Sequence, residues 1–155
     1  MKRNVLIIAL VCVVAGGSAA GLAVARSSPS HATAKKAKLQ LRSGKLGRFI
    51  VDAKGLTLYL FEKDKNGKSA CSGTCAKVWA PYLSSGKPSV GKGLSAGKAG
   101  TTKRSDGTTQ ATYNGHPLYH YDDDKKPGQT EGQGSKAFGA EWYVLNAKGN
   151  KIDKS

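Results

Sequence analysis

Two cysteines, two histidines, a run of three aspartates and a pair of recurring tyrosine–aspartate motifs are the side chains in this chain with chemistry to offer. Cys71 and Cys75 stand four residues apart with Gly73 between them, and in an exported protein that spacing is most simply a local disulfide. Two sharper readings remain beside it: a redox-active dithiol, and a soft copper site completed by a histidine. No histidine follows Cys75, so haem attachment of the familiar spacing is excluded, and no C-x-x-C lies within a βαβ pattern. His116 and His120 resemble a metal pair until geometry is applied. Four residues along a strand separate two Cα atoms by about 13 Å, too far for both imidazoles to grip one ion. Each is therefore read as a half-exposed sheet residue, and no metal is assigned. Asp122, Asp123 and Asp124 lack the glycine and glutamate spacing of a calcium loop and run directly into Lys125 and Lys126, so they are read as a solvated turn. There is no G-x-S-x-G, H-E-x-x-H or phosphate loop, and a non-enzymatic role is expected, without a resident cofactor.

The remaining chemistry lies in a repeat. L-T-L-Y-L-F-E-K-D (56–64) returns 60 positions later as H-P-L-Y-H-Y-D-D-D (116–124), so that Tyr59, Phe61 and Asp64 meet Tyr119, Tyr121 and Asp124. Gly47 and Gly55 meet Gly107 and Gly115 at the same offset, and Trp79 meets Trp142 after a slip of three. A register that preserves turn glycines, tyrosines and aspartates together marks duplicated structure. The tyrosines are read as core or rim residues, with each aspartate bonding turn amides about five residues on. Recurrence suits a folding or binding role better than a catalytic one.

The elements that position these residues are strands. Gly47–Asp52 and Leu56–Phe61 are β-branched and aromatic runs joined through Gly55, which predicts a hairpin. Asp106-Gly107 and Asn114-Gly115 are strong signals for tight turns and predict a three-stranded meander over residues 101–121. Alternation puts Tyr59 and Phe61 on one face and Leu58 and Leu60 on the other. In the second copy the leucine face becomes His116, Leu118 and His120, so the aromatic face is expected inside, and the leucine face partly covered in the first copy and wetter in the second. Ser72 or Thr74 is expected to cap a short helix over Cys75–Trp79, ended by Pro81. Trp142–Asn146 reads as a strand, followed by a final hairpin to Ile152. The fold class is thus mainly β, or β-rich α+β: two tandem antiparallel hairpin or meander repeats with a short helix, forming one compact domain.

The boundaries follow from composition. Lys2 and Arg3 precede an uncharged stretch from Val5 to Ala25, an export signal with small residues at its end; residues 1–25 are a signal peptide or an N-terminal membrane anchor. Residues 26–38 are a disordered basic linker, 39–83 the first repeat, 84–100 a glycine-, lysine- and serine-rich connection and 101–155 the second repeat.

Charge is the other signal. The formal net charge is +15, and loss of Lys2 and Arg3 on cleavage would leave +13. The basic patch is assigned to Lys35, Lys36, Lys38, Arg42, Lys45, Arg48, Lys103 and Arg104. Outside a cell such a surface attracts anionic envelope polymers or lipid headgroups in a salt-dependent way, and nucleic acid is not expected as a partner. A soluble cationic surface with no specific partner stands as the alternative.

Y-L-F-E-K-D (59–64) and Y-H-Y-D-D-D (119–124) match a Y-x-aromatic-x-x-D pattern, and with V-D-A-K-G-L-T-L-Y (51–59), C-S-G-T-C-A-K-V-W-A-P (71–81), P-G-Q-T-E-G-Q-G (127–134) and F-G-A-E-W-Y-V-L (138–145) the chain resembles a bacterial family of secreted repeats and predicted lipoproteins whose function is uncharacterised. The resemblance covers about residues 46–150. It implies a secreted or cell-envelope location and transfers no activity. The chain departs from the lipoprotein pattern in having no lipobox cysteine.

Overall fold

The computed structural model describes residues 34–154. The export segment and most of the expected linker lie outside the described residues. Ten short strands, one helical turn and two 3₁₀ turns make up the described chain, arranged in three sheets.

β1 (Lys38–Gly44) and β2 (Gly47–Val51) form an antiparallel hairpin that turns at Gly47, whose φ of 99° suits glycine. The chain then turns through Asp52–Gly55, with Asp52 Oδ1 accepting from the N–H groups of Lys54 (2.8 Å) and Leu56 (2.9 Å). The predicted hairpin forms but is short. Val51 pairs with Thr57 and Leu58 N–H donates to Ile50, after which β3 (Tyr59–Phe61) leaves for another sheet. Next come α1 (Thr74–Val78), β4 (Trp79–Pro81) and β5 (Ser89–Val90), the last pairing in parallel with β1. The expected meander is β6 (Ala99–Lys103), β7 (Thr109–Tyr113) and β8 (His116–Pro117). Again the chain departs at the leucine: Leu118 N–H donates to Ala111, and β9 (Tyr119–Tyr121) enters the sheet that holds β3. β10 (Trp142–Val144) completes it, and a turn at Asn146–Gly149 returns the chain so that Leu145 bridges Lys151.

The central sheet has the order β10-β3-β9-β4, all antiparallel. Each tyrosine strand therefore pairs with the tryptophan strand of the other repeat. Tyr59 and Tyr119 are the residue pair where the two tyrosine strands meet. The repeats are interleaved and share one sheet.

Several expectations change. Both faces of β3 are buried, since Leu60, with the flanking Leu58 and with Leu118, lies in a cluster with Leu39 and Ile50 from the β2-β1-β5 sheet and Ala99 and Tyr113 from the β6-β7-β8 sheet. The outer sheets seal the leucine face at Leu58, Leu60 and Leu118, while His116 and His120 at its edges in the second copy stay partly exposed. Neither Ser72 nor Thr74 caps α1: Gly73 is the N-cap with φ of 57°, and Cys75 N–H donates to the backbone carbonyl of Ser72. Trp79 begins a strand instead of ending the helix, as Trp142 does in the second repeat. Ala37, placed in the linker, is buried with its N–H on Ser84 Oγ (2.9 Å), and Lys38 opens β1. The 84–100 connection is likewise organised, through buried Ser84, β5 and a 3₁₀ turn at Ala96–Lys98.

Candidate functional site

The Y-x-aromatic-x-x-D motifs close across the repeats. Tyr59 donates to Asp124 Oδ2 at 2.6 Å and Tyr119 donates to Asp64 Oδ2 at 2.8 Å. The other carboxylate oxygen of each aspartate accepts from a loop amide of its own repeat: Ala70 N–H to Asp64 Oδ1 (2.7 Å) and Glu131 N–H to Asp124 Oδ1 (2.9 Å). These amides lie six and seven residues on, not five, and the tyrosines reach the opposite copy because the antiparallel β3–β9 pair sends each ring toward the other repeat's loop. Both tyrosines are fully buried, which raises their pKa well above the phenol range, and the facing carboxylates raise it further. Burial also raises the carboxyls. Asp64 is pushed up to about 6, partly opposed by the Ala70 amide, Tyr119 and Arg104; Asp124 is raised as well, opposed by Tyr59 and the Glu131 amide. Of the acidic run, Asp122 and Asp123 are exposed as expected, but Asp124 is buried.

The aromatic members of the motif end a four-ring column. Phe61 stacks on Trp142 (3.9 Å, 8°), Trp142 on Trp79 (3.9 Å, 6°) and Trp79 on Tyr121 (4.4 Å, 32°). The column alternates first repeat, second, first, second. Tyr59 meets Trp79 edge-on at 5.3 Å and Tyr119 meets Trp142 likewise at 5.1 Å. Phe138, aligned with Cys75 by its distance from the tryptophan, is exposed with φ of 64° and does not enter the column.

Cys71 and Cys75 are joined, with Cα atoms 5.3 Å apart, and both are buried beside the aromatic cluster. In the bonded form neither sulfur offers a thiolate to a metal or substrate. Among the described residues no group of three or more His, Cys, Asp or Glu side chains is placed to hold a metal ion. His116 and His120 fall on two different strands, β8 and β9. Burial lowers the pKa of His116.

Of the assigned basic patch, Lys35, Lys36, Lys38, Arg42, Lys45, Arg48 and Lys103 are exposed. Arg104 is not part of it. Its side chain is only 2% exposed and donates to Ser69 Oγ (2.7 Å), Gln110 Oε1 (2.8 Å) and the Cys71 carbonyl (2.7 Å), with Asp106 at 3.2 Å. It ties the meander to the disulfide loop, a use that a count of charges does not distinguish from a surface role.

A pairing not marked in the sequence forms a second polar group. Asp52 Oδ2 lies 3.2 Å from His120 Nε2, and the His120 ring meets Tyr82 edge-on at 5.0 Å. Burial alone would raise the Asp52 pKa, but bonds from His120, Leu56 and Lys54 outweigh it and leave the group lowered. Asp52 could have been found from the D-A-K-G turn, where an aspartate bonding its own loop is common. The 68-residue separation from His120 left no sequence signal.

Two interleaved β repeats joined by reciprocal Tyr–Asp hydrogen bonds define a tandem-repeat protein in which the repeated motif is the joint between the copies. The chain belongs to the family Lipoprotein_15, described as a secreted repeat of unknown function, whose model matches twice, over residues 41–82 and 100–146. Each match contains one Y-x-aromatic-x-x-D motif, and the family description sets the protein in an extracytoplasmic class. No similar curated protein and no similar solved structure was found. No helix among the described residues is long and apolar enough to cross a membrane.

Proposed function

We propose that the protein is a non-catalytic extracytoplasmic module that binds a polyanionic partner, an anionic envelope polymer or lipid headgroups, through its lysine and arginine surface. The observation that carries this is the segment from Lys35 to Arg48. Six cations fall there with no acid before Asp52, all six are exposed, and none makes an ion pair with a described residue. The acids are spent elsewhere: Asp64 and Asp124 on the tyrosines, Asp52 on His120, Glu62 on Lys151 and Asp122 on Lys125. A field of uncompensated cations draws polyanions from a distance and holds them in proportion to the counterions released. The buried, mutually bonded motif residues support a scaffold role for the repeat itself.

Co-sedimentation with phosphatidylglycerol vesicles and with isolated cell wall, across a salt series, tests the proposal. Binding is expected at low salt and should weaken steadily as salt rises. Absence of binding at low salt would sink it.

A further inference from the structure

The basic surface has a built cleft within it. Lys35, Lys36 and Lys38 at the start of β1, Lys54 in the 52–55 turn, and Tyr82, Leu83 and His120 line a space of about 560 Å³. Two other clefts are poorer candidates for an anion. One carries Glu62 and Asp64 beside Lys65, Lys151 and His116, with Lys151 already bonded to Glu62 at 2.7 Å. The other carries Arg42, Lys45 and Lys126 with Glu131, and there Arg42 lies so close over Gly128 that a Cβ at that glycine would meet Nε at 2.3 Å.

In the Lys35–Lys54 cleft the single carboxylate is spent. Asp52 Oδ1 accepts from two turn amides, Oδ2 faces His120, and the side chain is 9% exposed. Four lysines therefore line the cleft, and its lining holds no other acid to answer them. The backbone that carries them is fixed. Tyr82 Oη donates to the Lys38 carbonyl and accepts from the Lys38 N–H, both at 3.1 Å, and Ala37 N–H is held by Ser84. Asp52 fixes the turn that presents Lys54. One wall is carbon: Tyr82 is partly exposed, and Leu83 is 37% exposed, one of two large apolar side chains so placed among the described residues. Lysine clusters bind phosphate oxygens as point charges, and the carbon wall suits a ligand whose anionic group has an apolar neighbour.

Resting on the polyanion reading above, we propose that this cleft is its specific subsite and takes a glycerol phosphodiester. Lys36 and Lys54 grip the phosphate from opposite sides, and the glycerol carbons lie along Tyr82 and Leu83 with His120 beneath. Glycerol phosphodiesters occur both in lipid headgroups and in soluble polymers, so the test has two arms.

Full-length protein is titrated with soluble poly(glycerol phosphate) and, separately, with phosphatidylglycerol vesicles at low salt, while the ring signals of His120 are followed by NMR in the polymer arm. The Lys36→Ala/Lys54→Ala double variant is compared with a charge-matched control, Lys87→Ala/Lys92→Ala, which removes two exposed lysines outside both the cleft and the assigned basic patch. Melting curves confirm that both remain folded. The subsite predicts a loss of about tenfold or more for the cleft variant, at most about twofold for the control, and shifted His120 signals on polymer binding. A loss in one arm alone supports the subsite and names its source as lipid or polymer. Equal losses for the two variants, or unmoved His120 signals, overturn the subsite while leaving a diffuse basic surface standing. No binding by the unaltered protein at low salt overturns both.

Discussion

The two repeats put the same side chains into one sheet and then support them differently. In the first, Asp64 sits in a furnished socket: the Ala70 amide on one oxygen, Tyr119 on the other, Arg104 close enough to favour its charge, and Ser69 Oγ within 2.8 Å of the Tyr119 hydroxyl. In the second, Asp124 has the Glu131 amide and Tyr59, and the Tyr59 hydroxyl takes a long bond from Gly132 N–H (3.3 Å). One residue past the amide that holds each aspartate stands Cys71 in one copy and Gly132 in the other. Gly132 packs against the column so closely that a Cβ there would lie 2.6 Å from Trp79 Cη2. The tryptophans diverge too: Trp142 donates to the Ala137 carbonyl at 3.0 Å, whereas the buried Trp79 N–H has no partner among the described residues. A duplicated fold thus keeps the rings and the crossed bonds, and lets the loops around them specialise.

The largest expected effect breaks the shared part. Tyr59→Ala or Tyr119→Ala removes a fully buried ring from the joint and should cost about 3–5 kcal/mol by chemical denaturation. The Phe variants separate the copies. Tyr59→Phe leaves Asp124 with a single partner amide, whereas Tyr119→Phe leaves Asp64 with its amide and Arg104 nearby. Both should cost about 1–3 kcal/mol, Tyr59→Phe the more. Equal and negligible costs would mean that the crossed bonds do not hold the repeats together.

The disulfide is next, because it exists in one copy only. The loop it closes is four residues in span, so the Cys71→Ala/Cys75→Ala variant should lose about 2 kcal/mol or less. A much larger loss would show that the bond organises the Ser69–Arg104 network as well as its own loop.

How much of this was legible in the chain is instructive at particular residues. The 60-residue offset, the turn glycines and the aromatic alternation led to a β-rich tandem, and the C-x-x-x-C spacing led to the disulfide. The crossing of the repeats was not legible. Tyr59 is five residues from Asp64 and 65 from Asp124, and nothing local in either hexapeptide says which aspartate its hydroxyl meets. That choice is made by β3 pairing with β9 and β10, a long-range event set by which surfaces bury together. The full sealing of Leu118 was not legible for the same reason, since His116 and His120 mark the wetter edges of a face whose centre is covered by two outer sheets. Arg104 misled because the sequence shows a charge but not the carbonyl and amide oxygens that receive it. The pairing of Asp52 with His120 went unmarked because it depends on the turn after β2 meeting β9.

A smaller effect sharpens the tryptophan difference. Trp142→Phe gives up the bond to the Ala137 carbonyl, whereas Trp79→Phe removes a donor that has no acceptor among the described residues. Trp142→Phe should therefore be the more destabilising by about 1 kcal/mol, read from paired denaturation curves. Equal costs would mean that ring stacking alone sets the contribution of both.

The last expected effect is a pH dependence, and its sign follows from Asp64. Burial raises this carboxyl from an ordinary value of 3.8 to about 6 in the folded protein. Between those values the folded state holds a proton that the unfolded state has released, so the contribution of Asp64 to stability is fully present below pH 3.8 and is lost as pH rises through about 6. Asp124 is raised by burial as well and adds in the same direction, while Asp52 and Asp106 are lowered and act against it. The net curve blends all four, which makes the difference between variants the useful quantity. Asp64→Asn cannot lose this proton, so its melting temperature relative to the unaltered protein should rise between pH 4 and pH 7. The same comparison for Asp124→Asn should rise in the same direction. A flat difference for Asp64→Asn would mean that the Ala70 amide, Tyr119 and Arg104 together hold Asp64 ionised as firmly as water does.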